Sequence, residues 1–197
     1  GRITPCCYQY HKLGNVKEKP LEEIWNDEPI QKLREEFLSG KITTCKKDII
    51  DRQCHKHFEE LLPLVKLDVV QKGPVKRLYM QLNGHCNLQC NMCNVWYLPN
   101  GNYTEENFWE GAREHIFPFI EEIVTLGGEP FMQKDTFKLI DEIVAVNPEC
   151  KFHFTTNANW RFSGKIKNAL EKIPHLQSVN ISSVSYTHLR AHETSEN

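Results

Sequence analysis

From residue 76 onward, short runs of apolar residues alternate with longer stretches in which apolar residues recur at helical spacing. The short runs predict four strands, at residues 76–82, 122–126, 151–156 and 177–182. Helices are predicted between them, one near residues 104–115, one capped by Asp135 and one capped by Ser163. Such alternation is typical of an α/β fold whose parallel strands are joined by right-handed helical crossovers.

The amino-terminal part of the chain has a different pattern. Residues 20–40 predict one or two short helices, because Pro20 suits a first helical turn and Gly40 suits a left-handed helix end. Residues 62–73 show no clear period, and the Gly73-Pro74 pair is typical of a turn.

These patterns predict an amino-terminal module at residues 1–62, a linker at 63–75 and an α/β core at 76–183. Residues 184–197 show neither strand alternation nor a helical apolar face, and most of this segment is identical to a translated sequencing-library adaptor. We therefore expect residues 184–197 to be a non-natural tail on a chain truncated at both ends. A natural polar tail with two histidines is the alternative.

The composition narrows the possible functions. The chain has 197 residues, fewer than the roughly 250 of a complete βα barrel. Its 24 basic and 26 acidic residues predict no general attraction to nucleic acid or to a membrane surface. No signal-peptide segment and no long apolar run occurs in the sequence, which favours a cytoplasmic protein whose eight cysteines are reduced.

Three cysteines follow the first predicted strand at the spacing C-x3-C-x2-C, namely Cys86, Cys90 and Cys93. Three thiolates on one loop suit an iron–sulfur cluster, and a four-iron cluster with three protein ligands keeps one iron open to a small molecule. An alternative is that Cys90 and Cys93 form half of a zinc site that another cysteine pair completes.

The cysteine triplet, Met92 just before its last cysteine, and Gly127-Gly128-Glu129-Pro130 after the second strand together resemble the radical S-adenosylmethionine (radical SAM) superfamily. The resemblance implies a 4Fe-4S cluster on the three cysteines, with S-adenosylmethionine (SAM) chelating the open iron. In that family an electron from the cluster cleaves the sulfonium of SAM, and the 5'-deoxyadenosyl radical abstracts a hydrogen atom from the substrate.

The resemblance also implies a set of residues that contact SAM, namely Met92, Gly127, Gly128, Glu129, Pro130, Asn157 and Ser182. Met92 would pack on the adenine, and the glycine-rich edge would present backbone carbonyls to the methionine ammonium. Ser182 would lie near the ribose or the carboxylate. Each position also has an ordinary explanation: Met92 as a core residue, the glycine pair as a turn, and Asn157 as a loop entry.

The first part of the chain resembles the SPASM/twitch module, on the Cys6-Cys7 pair, the segment from Pro20 to Asn26, and Gly40. Such modules carry auxiliary iron–sulfur clusters, and the resemblance implies a ligand set of Cys6, Cys7, Cys45 and Cys54. A second cysteine is expected three residues after Cys45, but Asp48 stands there. Cys54, His55 or His57 is the candidate replacement, and a structural zinc site or unligated thiols are the alternatives.

The fold that the resemblance implies is a partial radical SAM barrel, limited to the first four βα units of six, preceded by the SPASM/twitch-like module. The implied function is a radical SAM enzyme with an electron donor such as ferredoxin or flavodoxin and with a peptide among its candidate substrates. No catalytic residue beyond the cluster is assignable, and we expect no turnover from this chain as it stands.

Two other functions remain open from the sequence. One is an iron–sulfur electron-transfer module, although such a module would have no need of the glycine-rich edge. The other is a zinc-stapled binding domain using Cys45, Cys54, Cys90 and Cys93, although the position of Cys86 favours a triplet over two pairs.

Overall fold

The computed structural model describes residues 1–5, 11–45, 68–91, 93, 95, 98 and 100–182. The chain forms two compact units. Unit 1 comprises Gly1–Pro74 and Glu105–His115, and unit 2 comprises Val75–Thr104 and Ile116–Asn197. None of the helices in the described part of the chain is long and apolar enough to cross a membrane.

Unit 1 contains a short antiparallel pair of strands, β1 (Arg2–Ile3) and β2 (Gly14–Asn15), followed by two helices, α1 (Leu21–Ile24) and α2 (Glu28–Ser39). The prediction of one or two helices is confirmed. Helix α2 ends at Gly40, whose φ of +70° is the left-handed conformation expected there. A third helix, α3 (Glu106–His115), packs with α1, although it was predicted within the α/β core.

A buried carboxylate holds the turn that follows α2. Glu36 accepts hydrogen bonds from the hydroxyl and backbone N–H groups of both Thr43 and Thr44, at 2.7–2.9 Å. Burial alone would raise the pKa of Glu36, but these four hydrogen bonds to the charged form lower the pKa to about 2. The turn leading into Cys45 is therefore fixed by an ionised side chain.

Residues 68–74 fall within the segment predicted as a linker, and they are bonded to unit 1. Asn26 exchanges two hydrogen bonds with the backbone of Gln71, at 2.8 and 2.9 Å. The buried guanidinium of Arg34 donates to the carbonyl of Val69 at 2.8 Å and lies over the ring of Trp25. Residues 63–67 lie outside the described residues.

Unit 2 contains a parallel sheet of four strands in the order β3 (Arg77–Met80), β4 (Glu122–Thr125), β5 (Lys151–Thr156) and β6 (Leu176–Ile181). The four strands begin and end within two residues of the predicted positions. The predicted α/β class with parallel strands is confirmed.

One face of this sheet is a closed core. Ile123, Phe152 and Phe154 are fully buried there, and the ring centroid of Phe131 lies 5.1 Å from that of Phe154. Two helices follow the strands, α4 (Lys134–Val146) and α5 (Gly164–Glu171), and their apolar sides are also buried. A fully buried sheet face requires such a cover, because exposed aromatic side chains would lose their transfer free energy.

The two predicted helix caps have different outcomes. Ser163 caps α5 as predicted, since its hydroxyl accepts a hydrogen bond from the backbone N–H of Ile166 at 3.4 Å. The prediction for Asp135 is wrong: α4 begins at Lys134 with Gln133 at its N-cap position, and Asp135 lies inside its first turn. The Asp135 carboxylate instead accepts hydrogen bonds from the buried amide of Asn83 at 2.6 Å and from the backbone N–H of Tyr103 at 2.9 Å.

Candidate functional site

The carboxyl ends of β3, β4 and β5 lie side by side at one edge of the parallel sheet. The loop after β3 carries Cys86, Cys90 and Cys93, all half-buried. The loop after β4 carries Gly127-Gly128-Glu129, and Asn157 follows β5 directly. Ligands of α/β proteins bind at this edge, since the loops there converge on one surface.

The loop after β3 folds back on itself through Gly84 and Asn83. A Cβ atom at Gly84 would overlap the backbone carbonyl of Val95 and lie 2.8 Å from that of Leu98. Asn83 is buried, accepts a hydrogen bond from the N–H of His85 at 2.9 Å and donates to Asp135 at 2.6 Å. Neither residue was predicted, although an Asn-Gly pair after a strand is a recognisable turn signal.

The two glycines after β4 let this turn approach the cysteine loop. Gly127 and Gly128 have φ values of +83° and +51°, which glycine adopts without strain. A Cβ atom at Gly128 would overlap the carbonyl oxygen of His85, which accepts a hydrogen bond from the N–H of Glu129 at 2.8 Å. Both the backbone conformation and the close approach therefore require glycine at residue 128.

Gln133 links the cysteine loop to the turn after β4. Its side-chain amide donates to the carbonyls of Gly127 at 2.9 Å and His85 at 3.1 Å, and Gln133 is itself buried. This residue was missed in the sequence, because nothing in its local pattern distinguishes it from an ordinary helix-start residue. The carbonyl of Gly127, predicted to face the cofactor, is thus already bonded within the protein.

Glu129 is fully buried and joins the ends of β4 and β5. Its carboxylate accepts hydrogen bonds from the hydroxyl of Thr156 at 2.7 Å, from the N–H of Asn157 at 2.8 Å and from the N–H of Phe131 at 3.3 Å. Pro130, also buried, begins the 3₁₀ turn that follows. The Glu129 side chain therefore links the loop after β4 to the end of β5. A direct contact of Glu129 with SAM stays a prediction.

The sulfur of Cys86 accepts hydrogen bonds from the backbone N–H of Leu88 at 3.4 Å and the side-chain amide of Asn157 at 3.6 Å. Burial raises the pKa of Cys86, and the charges of Glu129, Cys90 and Cys93 raise it further, against the opposing effect of the Leu88 N–H. Ionising this thiol is therefore less favourable here than in water.

A positively charged group between the thiols would favour their ionised form. The donor chemistry of three half-buried thiols with N–H groups aimed at two of the sulfurs fits an iron–sulfur cluster, whose ligands are thiolates. Among the residues that the structure describes, however, no three His, Cys, Asp or Glu side chains are already arranged to hold a metal ion. Binding would therefore require the three sulfurs to come closer together.

Comparison with known families shows which superfamily the chain belongs to. The model of the radical SAM superfamily matches residues 80–190, more than half of the 197-residue chain. The chain belongs to the radical SAM superfamily. The SPASM model, described as an iron–sulfur cluster-binding domain, matches residues 1–56 of this radical SAM protein. These two domains imply iron–sulfur clusters and the use of SAM.

No curated protein matches this radical SAM chain. A crystal structure of BtrN in an open conformation is similar, with a TM-score of 0.43 and 15% sequence identity. The alignment covers 56% of this chain and 51% of the BtrN chain, so the chain spans about half the length of that structure.

The structure brings Cys86, Gly128, Glu129 and Asn157 of the predicted radical SAM site together. Ser182 is exposed, and its N–H donates to the carbonyl of Thr156 at 2.8 Å. Of the predicted auxiliary ligands, Cys45 is half-buried beyond the turn that Glu36 holds. The other predicted positions lie outside the described residues, namely Met92, Cys6, Cys7, Cys54 and the tail at 184–197.

Proposed function

We propose that this radical SAM protein holds a 4Fe-4S cluster on Cys86, Cys90 and Cys93 and leaves one iron to SAM. The observation that carries the proposal is the hydrogen-bonded contact between the cysteine loop and the glycine turn. His85, Gly128 and Gln133 form this contact at one edge of the sheet. When bound, the cluster and SAM supply reductive cleavage and hydrogen abstraction. An electron-transfer or zinc module without cofactor cleavage is the alternative function.

The residues of the chain provide position and electrostatics for this chemistry. The N–H groups of Leu88 and Val95 donate to the sulfurs of Cys86 and Cys93, each at 3.4 Å, so two of the proposed ligand sulfurs already have hydrogen-bond donors. Gly127 and Gly128 let the turn after β4 lie against the cysteine loop, and we place the methionine end of SAM at this edge of the sheet. We assign the adenine contact to Met92 and the ribose or carboxylate contact to Ser182, with Pro130 shaping the edge.

We further propose that the four strands of unit 2 are the first four βα units of the partial six-stranded barrel of the superfamily. Residues 1–62 would then be the SPASM/twitch-like module, with an auxiliary cluster on Cys45 together with Cys6, Cys7 and Cys54. The match of the cluster-binding domain to residues 1–56 supports this assignment.

The proposed substrate is a polar chain such as a peptide. The sheet face opposite the aromatic core carries Tyr79, His153, Thr155 and Asn180, which the strand register places on the same side. Tyr79 is 57% exposed there, and polar side chains are suited to hydrogen bonding with amide groups. The proposed electron donor is ferredoxin or flavodoxin, and the proposed compartment is the cytoplasm.

Product formation tests the proposed activity. We expect a radical SAM protein that carries this sequence to release 5'-deoxyadenosine from SAM after anaerobic reconstitution with iron and sulfide and reduction by dithionite. The product would be quantified by chromatography against a sample without protein. Release at the level of that blank from a fully loaded protein would overturn the proposed activity.

A further inference from the structure

Asn157 connects the end of β5 to the cysteine loop. Its side-chain amide nitrogen donates to the sulfur of Cys86 at 3.6 Å and to the side-chain oxygen of Asn87 at 2.9 Å. Its backbone N–H donates to the carboxylate of Glu129 at 2.8 Å. A single residue therefore offers N–H groups to two groups that carry negative charge when ionised, the Cys86 sulfur and the Glu129 carboxylate.

The orientation of the Asn157 amide is fixed by its surroundings. Its side-chain oxygen accepts a hydrogen bond from the backbone N–H of Asn159 at 2.8 Å. Exchanging the amide oxygen and nitrogen would place the NH₂ group of Asn157 against the backbone N–H of Asn159. Only the observed orientation lets the oxygen accept and the nitrogen donate. Asn87 adds to the restraint, because its own amide donates to the carbonyl of Asn159.

The segment after Asn157 is equally restrained. Ala158 has a φ of +55°, a conformation that is unfavourable for a residue with a side chain. The hydroxyl of Thr156 accepts hydrogen bonds from the N–H of Ala158 at 3.0 Å and from the indole of Trp160 at 2.9 Å, and it donates to Glu129. The Asn157 amide is thus held toward Cys86 by the surrounding network.

Hydrogen bonds to the ligand sulfurs are one of the factors that set the reduction potential of an iron–sulfur cluster. An N–H group donating to a sulfur withdraws electron density and stabilises the reduced, more negative state. The buried carboxylate of Glu129 acts in the opposite direction, since added negative charge disfavours reduction. Asn157 stands between these two groups and favours reduction.

We propose that Asn157 is a positioning residue that raises the reduction potential of the cluster by donating a hydrogen bond to the sulfur of Cys86, a role that rests on the proposed function. The residue was predicted from the sequence as a SAM contact. Its amide is directed at Cys86, a proposed cluster ligand, and the role assigned to it acts through that ligand.

The test is a redox titration of the reconstituted protein, followed by electron paramagnetic resonance. Asn157→Ser retains an oxygen for the N–H of Asn159 but is too short to reach Cys86, so we expect its midpoint potential to shift to more negative values. Asn157→Asp places a carboxylate oxygen toward the sulfur and should shift the potential further in the same direction. Asn157→Gln keeps an N–H donor and should recover part of the wild-type potential.

Asn159→Ser is the matched control, because the contacts of Asn159 with Asn157 and Asn87 use its backbone. We expect this variant to keep the wild-type potential. Variants at residue 157 that hold a full cluster at the wild-type potential would overturn the inference and leave the proposed function intact. Absence of a cluster from the wild-type chain, measured by iron content, would overturn both.

Loss of the cluster is also informative. If Asn157→Ser and Asn157→Asp fail to load iron while Asn157→Gln loads it, the midpoint potential of Asn157→Gln decides: a value below that of the wild type supports the inference, and an equal value overturns it. If Asn157→Gln fails as well, the role of Asn157 is only structural and the inference is wrong. Urea unfolding of the iron-free variants separates these two results from a general loss of stability.

Discussion

Gly128→Ala is expected to destabilise unit 2 by roughly 2–5 kcal/mol, the sum of left-handed backbone strain and overpacking. The backbone at Gly128 has a φ of +51°, and the added Cβ atom would overlap the carbonyl of His85 and lie 2.6 Å from the side-chain nitrogen of Gln133. The His85 carbonyl cannot move away without breaking its hydrogen bonds with Glu129 and Gln133. The turn and the cysteine loop would therefore separate.

Urea unfolding of wild type and variant measures this change. Gly164→Ala is the matched control, because a Cβ atom there meets nothing within 4 Å and Gly164 begins helix α5. We expect Gly164→Ala to leave the unfolding free energy unchanged or slightly higher, since alanine favours helix. Equal stability of Gly128→Ala and wild type would show that the turn is not packed against His85.

Cys90→Ala is expected to remove the proposed 4Fe-4S cluster almost completely. A site with three protein ligands loses a third of its thiolates with this change, and its remaining sulfurs cannot hold the irons in place. Iron content and visible absorbance of the anaerobically reconstituted protein measure the loss. We expect the same result for Cys86→Ala and Cys93→Ala.

Cys150→Ala provides the control for general effects of removing a cysteine. Cys150 is fully buried in unit 2, and burial, with a smaller contribution from the charge of Glu122, raises the pKa of its thiol to about 12. A thiol that stays protonated at neutral pH is a poor metal ligand. We expect Cys150→Ala to retain the iron of the wild type; equal iron loss in all four variants would argue against the triplet as the ligand set.

The strands of unit 2 were predictable because their residues carry a strong local signal. Lys151–Thr156 alternates exposed or half-buried with fully buried side chains along its length, and its predicted bounds agree with the structure. Ser163 was recognisable as a cap for the same reason, since its hydrogen bond reaches only three residues along the chain. Local patterns of this kind need no knowledge of the tertiary fold.

The roles of Asp135, Gln133 and Glu129 depend on partners far away in the sequence. Asp135 bonds Asn83, 52 residues away, and Glu129 bonds Thr156, 27 residues away. From the sequence pattern, Asp135 was predicted to cap the nearest helix and Glu129 to contact SAM. In the fold, N–H and O–H groups from other loops donate hydrogen bonds to these carboxylates, because an unpaired buried N–H or O–H group is costly.

The grouping of α3 with unit 1 was also beyond sequence reasoning. The helix lies between β3 and β4 in the chain, which is the normal place for a crossover helix. In the structure α3 contacts α1, and its residues Trp109 and Ala112 are buried. Unit 1 therefore includes a helix that comes from the middle of the α/β sequence. The order of elements along the chain cannot predict that α3 packs with a helix of unit 1.

The central claim, a cluster on three cysteines with one iron open to SAM, is tested most directly by the electron paramagnetic resonance spectrum of the reduced, reconstituted chain with and without SAM. We predict a 4Fe-4S signal whose g values change when SAM is added, and no such signal in Cys90→Ala. A wild-type signal that saturating SAM leaves unaltered, or a protein that takes up zinc and no iron, would contradict the account.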